Sequence, residues 1–171
     1  MRKTLIVYYS RKGENYYDGS IRNLEKGNTE RVAEMIAGLT GGDLFEVETA
    51  KPYAEGYRDC VEQAKIEWQE NIRPALKKTL ESLEAYDTVF VGYPNWFSTM
   101  PMAMFTFLEK YHWEGKRILP FCTSEGSGLG RSEQDIKKIC VGATVQPGLA
   151  VHGASAANAQ AQVEAWVKQS L

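Results

Sequence analysis

Two short segments on either side of a long insertion suggest phosphate chemistry. Ser10 and Arg11 follow an apolar run, and Gly27-Asn28-Thr29 directly precedes a segment with helical spacing. Hydroxyl, amide and guanidinium groups beside the first N–H groups of a helix can surround a phosphate, helped by the helix dipole. The alternative is that Asn28 or Thr29 simply caps the helix. Neither the Walker pattern nor GxGxxG occurs in this region.

A second loop, Gly92-Tyr-Pro-Asn-Trp-Phe-Ser-Thr-Met-Pro101, suggests recognition of a flat ring. A Trp and a Phe among Gly, Pro and Ser residues lie where a core would not normally place them. Exposed aromatic side chains after a strand suit stacking on a planar ligand. The alternative for Trp96 and Phe97 is that both pack on the following helix.

The third loop, Thr123-Ser-Glu-Gly-Ser-Gly-Leu-Gly130, has three glycines in five positions. Glycines let the backbone approach a ligand and direct N–H groups at it, although a flexible loop without a ligand has the same composition. In open α/β sheets, ligands bind beyond the carboxyl ends of the strands. Together the three loops indicate a mononucleotide whose base is a flat polar ring.

Short apolar runs alternate with helical patterns and place these loops. The alternation predicts an open α/β sheet of five parallel strands with right-handed crossovers. The predicted strands are 4–9, 43–47, 88–92, 117–122 and 145–151. The first predicted helix ends at Gly41, and the next two cover 57–72 and 75–83. Three more helices follow: one capped by Thr99, one with Ser132 and Asp135 as a capping pair, and one capped by Asn158 or Ser155.

Two prolines modify the strand predictions. Pro120 lies inside a predicted central strand and cannot donate a hydrogen bond to the ladder, which predicts a bulge. Pro147 lies inside the last predicted strand and indicates an edge of the sheet.

Composition limits the class of protein. The chain has 171 residues, 43% of them apolar and 25% charged, with a net charge of −2, which is typical of one soluble globular domain. A nucleic-acid partner has little electrostatic support. The apolar run near the N-terminus is too short for a signal peptide or a membrane span, so a cytoplasmic protein without a membrane partner is expected.

Cys60, Cys122 and Cys140 form no CxxC pair and are expected to be buried free thiols. No metal site is expected at His112 or His152.

The loops GYPNWFSTMP and FCTSEGSGLGRS and the phosphate turn resemble those of the flavodoxin family. The resemblance covers nearly the whole chain, in the expected order, from Lys3 to the last helix. The resemblance implies a single flavodoxin-like domain of three layers, with strand order 2-1-3-4-5, helices on both faces and FMN at the switch point. It implies Trp96 as the side chain stacked on the isoalloxazine and the backbone of the third loop as the partner of the pyrimidine edge. The implied cofactor-binding residues are Ser10, Arg11, Gly27, Asn28, Thr29, Pro94, Asn95, Trp96, Phe97, Ser98, Thr99, Thr123, Ser124, Glu125, Gly126 and Gly128.

The sequence departs from many flavodoxins in two respects. The third loop lacks the aromatic residue, usually Tyr, that many of them have there, so the second flavin face is left to Leu129, to a residue of the insertion or to nothing. The near-neutral charge gives little support for electrostatic docking to a basic redox partner.

The resemblance implies an electron carrier whose flavin cycles through one-electron steps, with no catalytic side chain. Its partner would be a redox protein or a small electron acceptor, and the chain would be a monomer or weak homodimer. An FMN-dependent NAD(P)H:quinone oxidoreductase on the same fold is the alternative, and a binding module without flavin is a third reading.

The insertion from about Lys12 to Lys26 is much longer than the usual connection of about 2–6 residues. Gly27 begins the better phosphate turn because only this turn can present the N-terminus of the helix. The insertion is either ordinary loop variation or, as its Tyr16 and Tyr17 suggest, a cover that shapes access to the ligand.

Overall fold

The structure of the chain is a computed structural model that describes residues 3–171, and its centre is a parallel sheet. Its strands are β1 Lys3–Tyr8, β2 Gly13–Tyr17, β3 Ser20–Leu24, β4 Asp43–Glu46, β5 Tyr86–Pro94, β6 Arg117–Ser124, β7 Thr144–Val145 and β8 Leu149–His152. The sheet has the order β4-β1-β5-β6-β7, and β8 also pairs with β6. This is the predicted order 2-1-3-4-5 with the fifth strand divided in two, which confirms the predicted fold class.

Helices cover both faces of the sheet. They are α1 Asn28–Thr40, α2 Tyr57–Gln69, α3 Met102–Leu108, α4 Ser132–Ile139 and α5 Gln160–Ser170, with a 3₁₀ helix at Gly153–Asn158. Side chains of β1 alternate between the faces: Ile6 joins the cluster under α1 and α5, whereas Leu5 and Val7 join the cluster under α3 and α4. This alternation, with both faces covered, explains why the central strands are continuous apolar runs.

The predicted helix 75–83 is wrong. Residues 70–85 contain no helix, and the chain there runs beside the segment after β4, with a bridge between Thr49 and Leu76. Lys77 N donates to Glu48 O at 2.9 Å, and Leu80 exchanges hydrogen bonds with the Tyr111 hydroxyl. These tertiary hydrogen bonds hold the backbone out of a helix although the leucines have helical spacing. α2 also ends at Gln69, earlier than predicted.

The insertion, which we expected to be a loop, is a β-hairpin. β2 and β3 pair in antiparallel register from Gly13–Leu24 to Tyr17–Ser20. Asp18 and Gly19 form the two-residue turn with φ of 50° and 87°, the left-handed conformations that a type I′ turn requires. The dipeptide Asp-Gly was the sequence signal for this hairpin.

The bulge predicted at Pro120 is absent, because β6 pairs with β5 in unbroken register through Val91 and Pro120. Gln146 N donates to Ile118 O, so the backbone of Ile118 faces β7. Because backbone polar groups two residues apart point to the same side of a strand, the backbone nitrogen of Pro120 faces the break between β7 and β8. Its missing N–H therefore costs no ladder bond. The edge predicted from Pro147 is confirmed, since Pro147 lies in that break.

Three predicted caps are also wrong, and the helices begin elsewhere. α3 follows Pro101, α4 begins at Ser132 itself, and α5 follows Ala159. The candidate capping side chains have other roles or positions: Thr99 donates to the Asp135 carboxylate, Ser132 donates to Leu129 O, and Ser155 and Asn158 lie within the 3₁₀ helix.

Cys60, Cys122 and Cys140 are free and buried, as predicted. Within residues 3–171, no helix is long and apolar enough to cross a membrane, and no cluster of three or more His, Cys, Asp or Glu could hold a metal ion.

Candidate functional site

Direct hydrogen bonds join the three predicted loops at the carboxyl edge of the sheet. The hydroxyl groups of Thr29 and Thr123 lie 2.8 Å apart, which links the first loop to the third. Asn95 N donates to Thr123 O at 2.9 Å, and Asn95 Nδ2 donates to Gly128 O at 2.7 Å, which links the second loop to the third. The structure thus brings residues from distant parts of the chain to one place, as a ligand site requires.

The first loop presents the N-terminus of α1. Gly27 is the residue before the helix and has no capping side chain, and Ser10 Oγ accepts a hydrogen bond from Glu30 N at 3.1 Å. A Cβ atom at Gly27 would lie 2.1 Å from Ser10 Oγ and 2.7 Å from Arg11 O, so only glycine allows this close approach. Thr29 is buried with its hydroxyl on Thr123 and is not an N-cap. The first amides of a helix have no intrahelical partner, so this turn can receive an anion.

Arg11 is engaged with backbone carbonyl groups. Its Nε donates to Glu14 O at 2.9 Å, and its Nη2 donates to Ala54 O at 3.2 Å and to Glu55 O at 2.9 Å. The guanidinium therefore ties the hairpin to the segment before α2, and its predicted pairing with a phosphate would require it to leave these partners.

In the second loop, Trp96 is partly buried against two tyrosines. Its ring meets Tyr9 edge-on at 5.2 Å and Tyr53 at 5.4 Å between centroids. Burial raises the pKa of both tyrosines, most strongly through desolvation, so they remain neutral around the indole. Trp96 therefore rests on a rigid, uncharged support.

Phe97 points the other way and stacks on Trp68 of α2, with centroids 5.4 Å apart and planes 16° from parallel. The alternative, that Trp96 and Phe97 both pack on the following helix, named another helix, because Phe97 packs on α2. Trp96 and Thr99 exchange backbone hydrogen bonds, and the turn between them puts Phe97 and Ser98 at φ of 57° and 69°. Such non-glycine strain clusters at functional sites.

The third loop contains an internal hydrogen bond and two glycines with positive φ. Gly128 N donates to Ser124 Oγ at 2.9 Å, and Gly126 and Gly128 have φ of 113° and 70°. Burial raises the pKa of the neighbouring Cys122 thiol to about 12, so this cysteine is a protonated, buried side chain. Leu129 packs on the core, and a Cβ at Gly148 would lie 3.1 Å from its Cδ2. Leu129 therefore does not extend over the site.

Glu125 forms a cluster that the sequence did not reveal. Its Oε2 lies 3.0 Å from His152 Nε2, and its Oε1 is buried without a hydrogen-bond partner among residues 3–171. The position that a Cβ of Gly153 would take is 2.7 Å from both Asn28 Nδ2 and Glu125 Oε1. His152 was predicted to have no ligand role, because nothing near it in sequence marks a site; only the parallel pairing of β8 with β6 places it beside the third loop.

The hairpin crosses this edge of the sheet and is fastened on both sides. Glu14 Oε1 accepts a hydrogen bond from Tyr57 N at 2.9 Å, and the Tyr17 hydroxyl donates to Ala154 O at 3.1 Å. Ala154 follows Gly153, so the hairpin reaches the Glu125 cluster. This position agrees with the second of the two interpretations of the insertion, a cover over the site.

A cavity of about 970 Å³ lies beside the first loop, under the base of the hairpin. Ser10, Arg11 and Tyr53 line it, but no residue of 94–99 or 123–128 does. Among its walls are Glu46 and Glu48, and burial, with the Glu48 and Glu30 carboxylates, raises the pKa of Glu46. The cavity therefore reaches only one of the three joined loops, and 10 of its 21 lining residues are charged.

Comparisons with known proteins identify the family and the fold. A family model described as Flavodoxin matches residues 23–170. No curated protein matches the chain significantly in sequence. Two solved structures, from Bacteroides uniformis ATCC 8492 and Bacteroides eggerthii DSM 20697, are each provisionally named a flavoprotein; they are 29% and 28% identical to this chain, both with a TM-score of 0.76. Each alignment covers 98% of this chain, and 98% and 97% of those chains.

A flavoprotein from Lactobacillus acidophilus NCFM, solved in complex with FMN, shares the fold with a TM-score of 0.64 at 21% identity. That alignment covers 91% of this chain and 96% of the other.

Proposed function

Because this chain belongs to the flavodoxin family, we propose that it binds FMN on the three joined loops and carries electrons one at a time between redox partners. The observation that carries this proposal is the direct bonding of the three loops through Thr29, Asn95 and Thr123. A phosphate turn, an aromatic support and a glycine-rich backbone then face one ligand. The similar Lactobacillus acidophilus protein binds FMN.

The residues present fit FMN. The close approach of Gly27 to Ser10 leaves a turn in which Ser10 Oγ and the first amides of α1 would hold the phosphate. Trp96 would support the ring system, and backbone groups of 123–126 would meet its pyrimidine edge.

When bound, FMN supplies the electron transfer, and the protein binds and orients it. No side chain needs to exchange a proton with a substrate. The Glu125 carboxylate would disfavour a negative charge on the reduced flavin, whereas the backbone N–H groups of the third loop would stabilise that charge. Cys122 stays protonated and buried, so it does not compete as a redox group. The partner would be a redox protein or a small acceptor, and the chain a monomer or weak homodimer.

An FMN-dependent NAD(P)H:quinone oxidoreductase is the second candidate. The third loop favours this candidate, because it has no aromatic residue and its Leu129 packs on the core. This loop would therefore leave one face of the bound flavin open to a hydride donor. Turnover of a quinone with NAD(P)H by the purified protein alone would favour it.

A stepwise reductive titration of the FMN-loaded protein tests the carrier. Two resolved one-electron steps, with no NAD(P)H:quinone turnover, would support it. A single two-electron step would contradict it. A protein that leaves the fluorescence of added FMN unquenched would instead be a binding module without flavin.

A further inference from the structure

Trp96 contacts a tyrosine that has its own proton acceptor. The indole meets the ring of Tyr53 edge-on, with 5.4 Å between centroids. The Tyr53 hydroxyl donates to Glu67 Oε1 at 2.5 Å, a length expected for a hydroxyl group on an ionised carboxylate. The three side chains therefore form a continuous path from the second loop to α2.

The other tyrosine at this indole lacks such an acceptor. Tyr9 lies 5.2 Å from Trp96 between centroids, and its side chain is buried. Among residues 3–171, the tyrosine hydroxyls that donate to a carboxylate are those of Tyr8, Tyr53 and Tyr86. A phenol that loses an electron becomes a strong acid, so a tyrosine is oxidised readily only where its proton can leave. Of the two rings on the indole, Tyr53 is therefore the one suited to oxidation.

Glu67 is suited to take this proton. Burial raises the pKa of its carboxyl group above the ordinary value, which increases its affinity for a proton. Desolvation, with the hydrogen bond to Glu67, also raises the pKa of the Tyr53 phenol, so in the resting protein the proton stays on the tyrosine. The proton moves to the carboxylate only when the phenol loses an electron.

We propose that Tyr53 and Glu67 restore the Trp96 indole after a one-electron oxidant has attacked it. The oxidant removes one electron from the indole. The Tyr53 phenol replaces that electron while its proton moves to Glu67 Oε1. Any proton that the oxidised indole releases to water returns to it with the electron. The products are an intact indole, a neutral phenoxyl radical at Tyr53 and a protonated Glu67.

A small reductant completes the cycle. Tyr53 lines the cavity of about 970 Å³ beside the first loop, which gives a small molecule access to the tyrosine. A one-electron reductant such as ascorbate reduces the phenoxyl radical there, and Glu67 returns the proton to the phenol oxygen. The net reaction transfers one electron from the reductant to the oxidant and leaves Trp96 unchanged. It preserves the indole that would support the flavin ring, but the reaction itself requires no flavin.

Pulse radiolysis of the full chain without flavin tests this path. Azide radicals oxidise tryptophan in preference to tyrosine at neutral pH, and the indolyl and phenoxyl radicals have separate absorption bands. Within residues 3–171, Trp96 is the one tryptophan in ring contact with a tyrosine, so fast transfer from indole to phenol reports on this site. We expect a first-order decay of the indolyl radical with a matching rise of the phenoxyl radical. The rate should fall in heavy water, because the proton moves in the same step.

Four variants assign the path. Tyr53→Phe should remove the fast transfer, whereas Tyr9→Phe should keep it. Glu67→Gln retains a hydrogen-bond acceptor but is far less basic, so we expect the transfer to slow at least about tenfold. The matched control is Tyr86→Phe, because the Tyr86 hydroxyl donates to Asp43 Oδ2 at 2.7 Å but its ring contacts no tryptophan among residues 3–171. This control should leave the rate unchanged, and thermal unfolding identifies any variant that fails to fold.

Fast transfer that persists in Tyr53→Phe, or that disappears in a folded Tyr9→Phe, would overturn the assignment, because another group would then reduce the indole. An unchanged rate in Glu67→Gln would overturn the role of the carboxylate. The isotope effect is measured on the wild-type protein, so equal rates in water and heavy water would overturn the proposal even if a variant does not fold. These measurements contain no FMN, so their outcome and that of the proposed function are separate.

Discussion

The hydroxyl groups of Thr29 and Thr123 lie 2.8 Å apart, so a buried hydrogen bond joins the first turn of α1 to the end of β6. These residues are 94 positions apart in sequence. The bond fixes the phosphate turn relative to the glycine-rich loop. The distance between the two ends of the proposed ligand site therefore depends on it.

The pair can be tested with isosteric changes. Thr29→Val removes one hydroxyl and leaves that of Thr123 buried without its partner, which should cost about 1–3 kcal/mol of unfolding free energy. The double variant Thr29→Val with Thr123→Val should recover most of the loss, because neither side chain then has an unpaired polar atom. Urea unfolding of the four proteins measures this coupling. A double variant as unstable as the sum of the two single variants would show that the hydroxyls do not depend on each other.

Gly27 is the position where a single methyl group should weaken ligand binding most clearly. Alanine there places a Cβ 2.1 Å from Ser10 Oγ and 2.7 Å from Arg11 O, so the turn must move. We expect Gly27→Ala to weaken FMN binding at least about tenfold, measured by fluorescence quenching.

The matched control is Gly38→Ala in the same helix, where nothing lies within 4 Å of the added Cβ. It should keep FMN affinity and stabilise the protein by about 0.5–1 kcal/mol, since alanine suits a helix interior better than glycine. If Gly27→Ala binds FMN like the wild type, the phosphate lies elsewhere.

The hairpin should be dispensable for binding FMN and should affect the choice of electron acceptor. Gly13 pairs with Leu24, so a short Gly-Ser linker can replace residues 13–24. We expect FMN affinity to change by no more than about threefold, because the phosphate turn keeps its residues. The ratio of electron transfer rates to cytochrome c and to ferricyanide should change, because access for a bulky acceptor changes most. Loss of FMN binding would mean that the hairpin holds the cofactor.

The buried thiols predict how stability depends on pH. Burial raises the pKa of Cys122 and of Cys140 to about 12 in the folded protein, whereas an unfolded thiol titrates near about 8.5. Below the unfolded pKa both states are protonated and the thiols have no effect. Above it the unfolded state loses protons first, so the unfolding free energy falls, with a slope that reaches about 1.4 kcal/mol per pH unit for each thiol once the unfolded thiol is fully ionised.

Urea unfolding between pH 8 and about 9 measures this slope while the unfolded tyrosines, with a pKa of about 10, are still largely protonated. Cys140→Ala should reduce the slope by the share of one thiol. An unfolding free energy that stays constant over this interval would contradict the burial of protonated thiols.

The meeting of the three loops at one edge of the sheet could be predicted from the sequence, because these loops follow strands that are buried on both faces. A continuous apolar run such as Thr4–Tyr9 clearly indicates a buried strand. The loops that follow parallel strands all lie at the carboxyl edge of the sheet. The helix predicted at 75–83 failed because Leu80 and Lys77 find tertiary hydrogen-bond partners that no local pattern reveals. His152 could not be predicted as part of the site either, since only the pairing of β8 with β6 brings it to Glu125.

Titration of the purified wild-type protein with FMN, followed by visible absorption and flavin fluorescence, tests the central claim most directly. We predict saturation at one FMN per chain, with quenched fluorescence and a shifted flavin spectrum as the ring meets Trp96. A protein that leaves both the absorption spectrum and the fluorescence of added FMN unchanged would contradict the claim that the three joined loops form a flavin site.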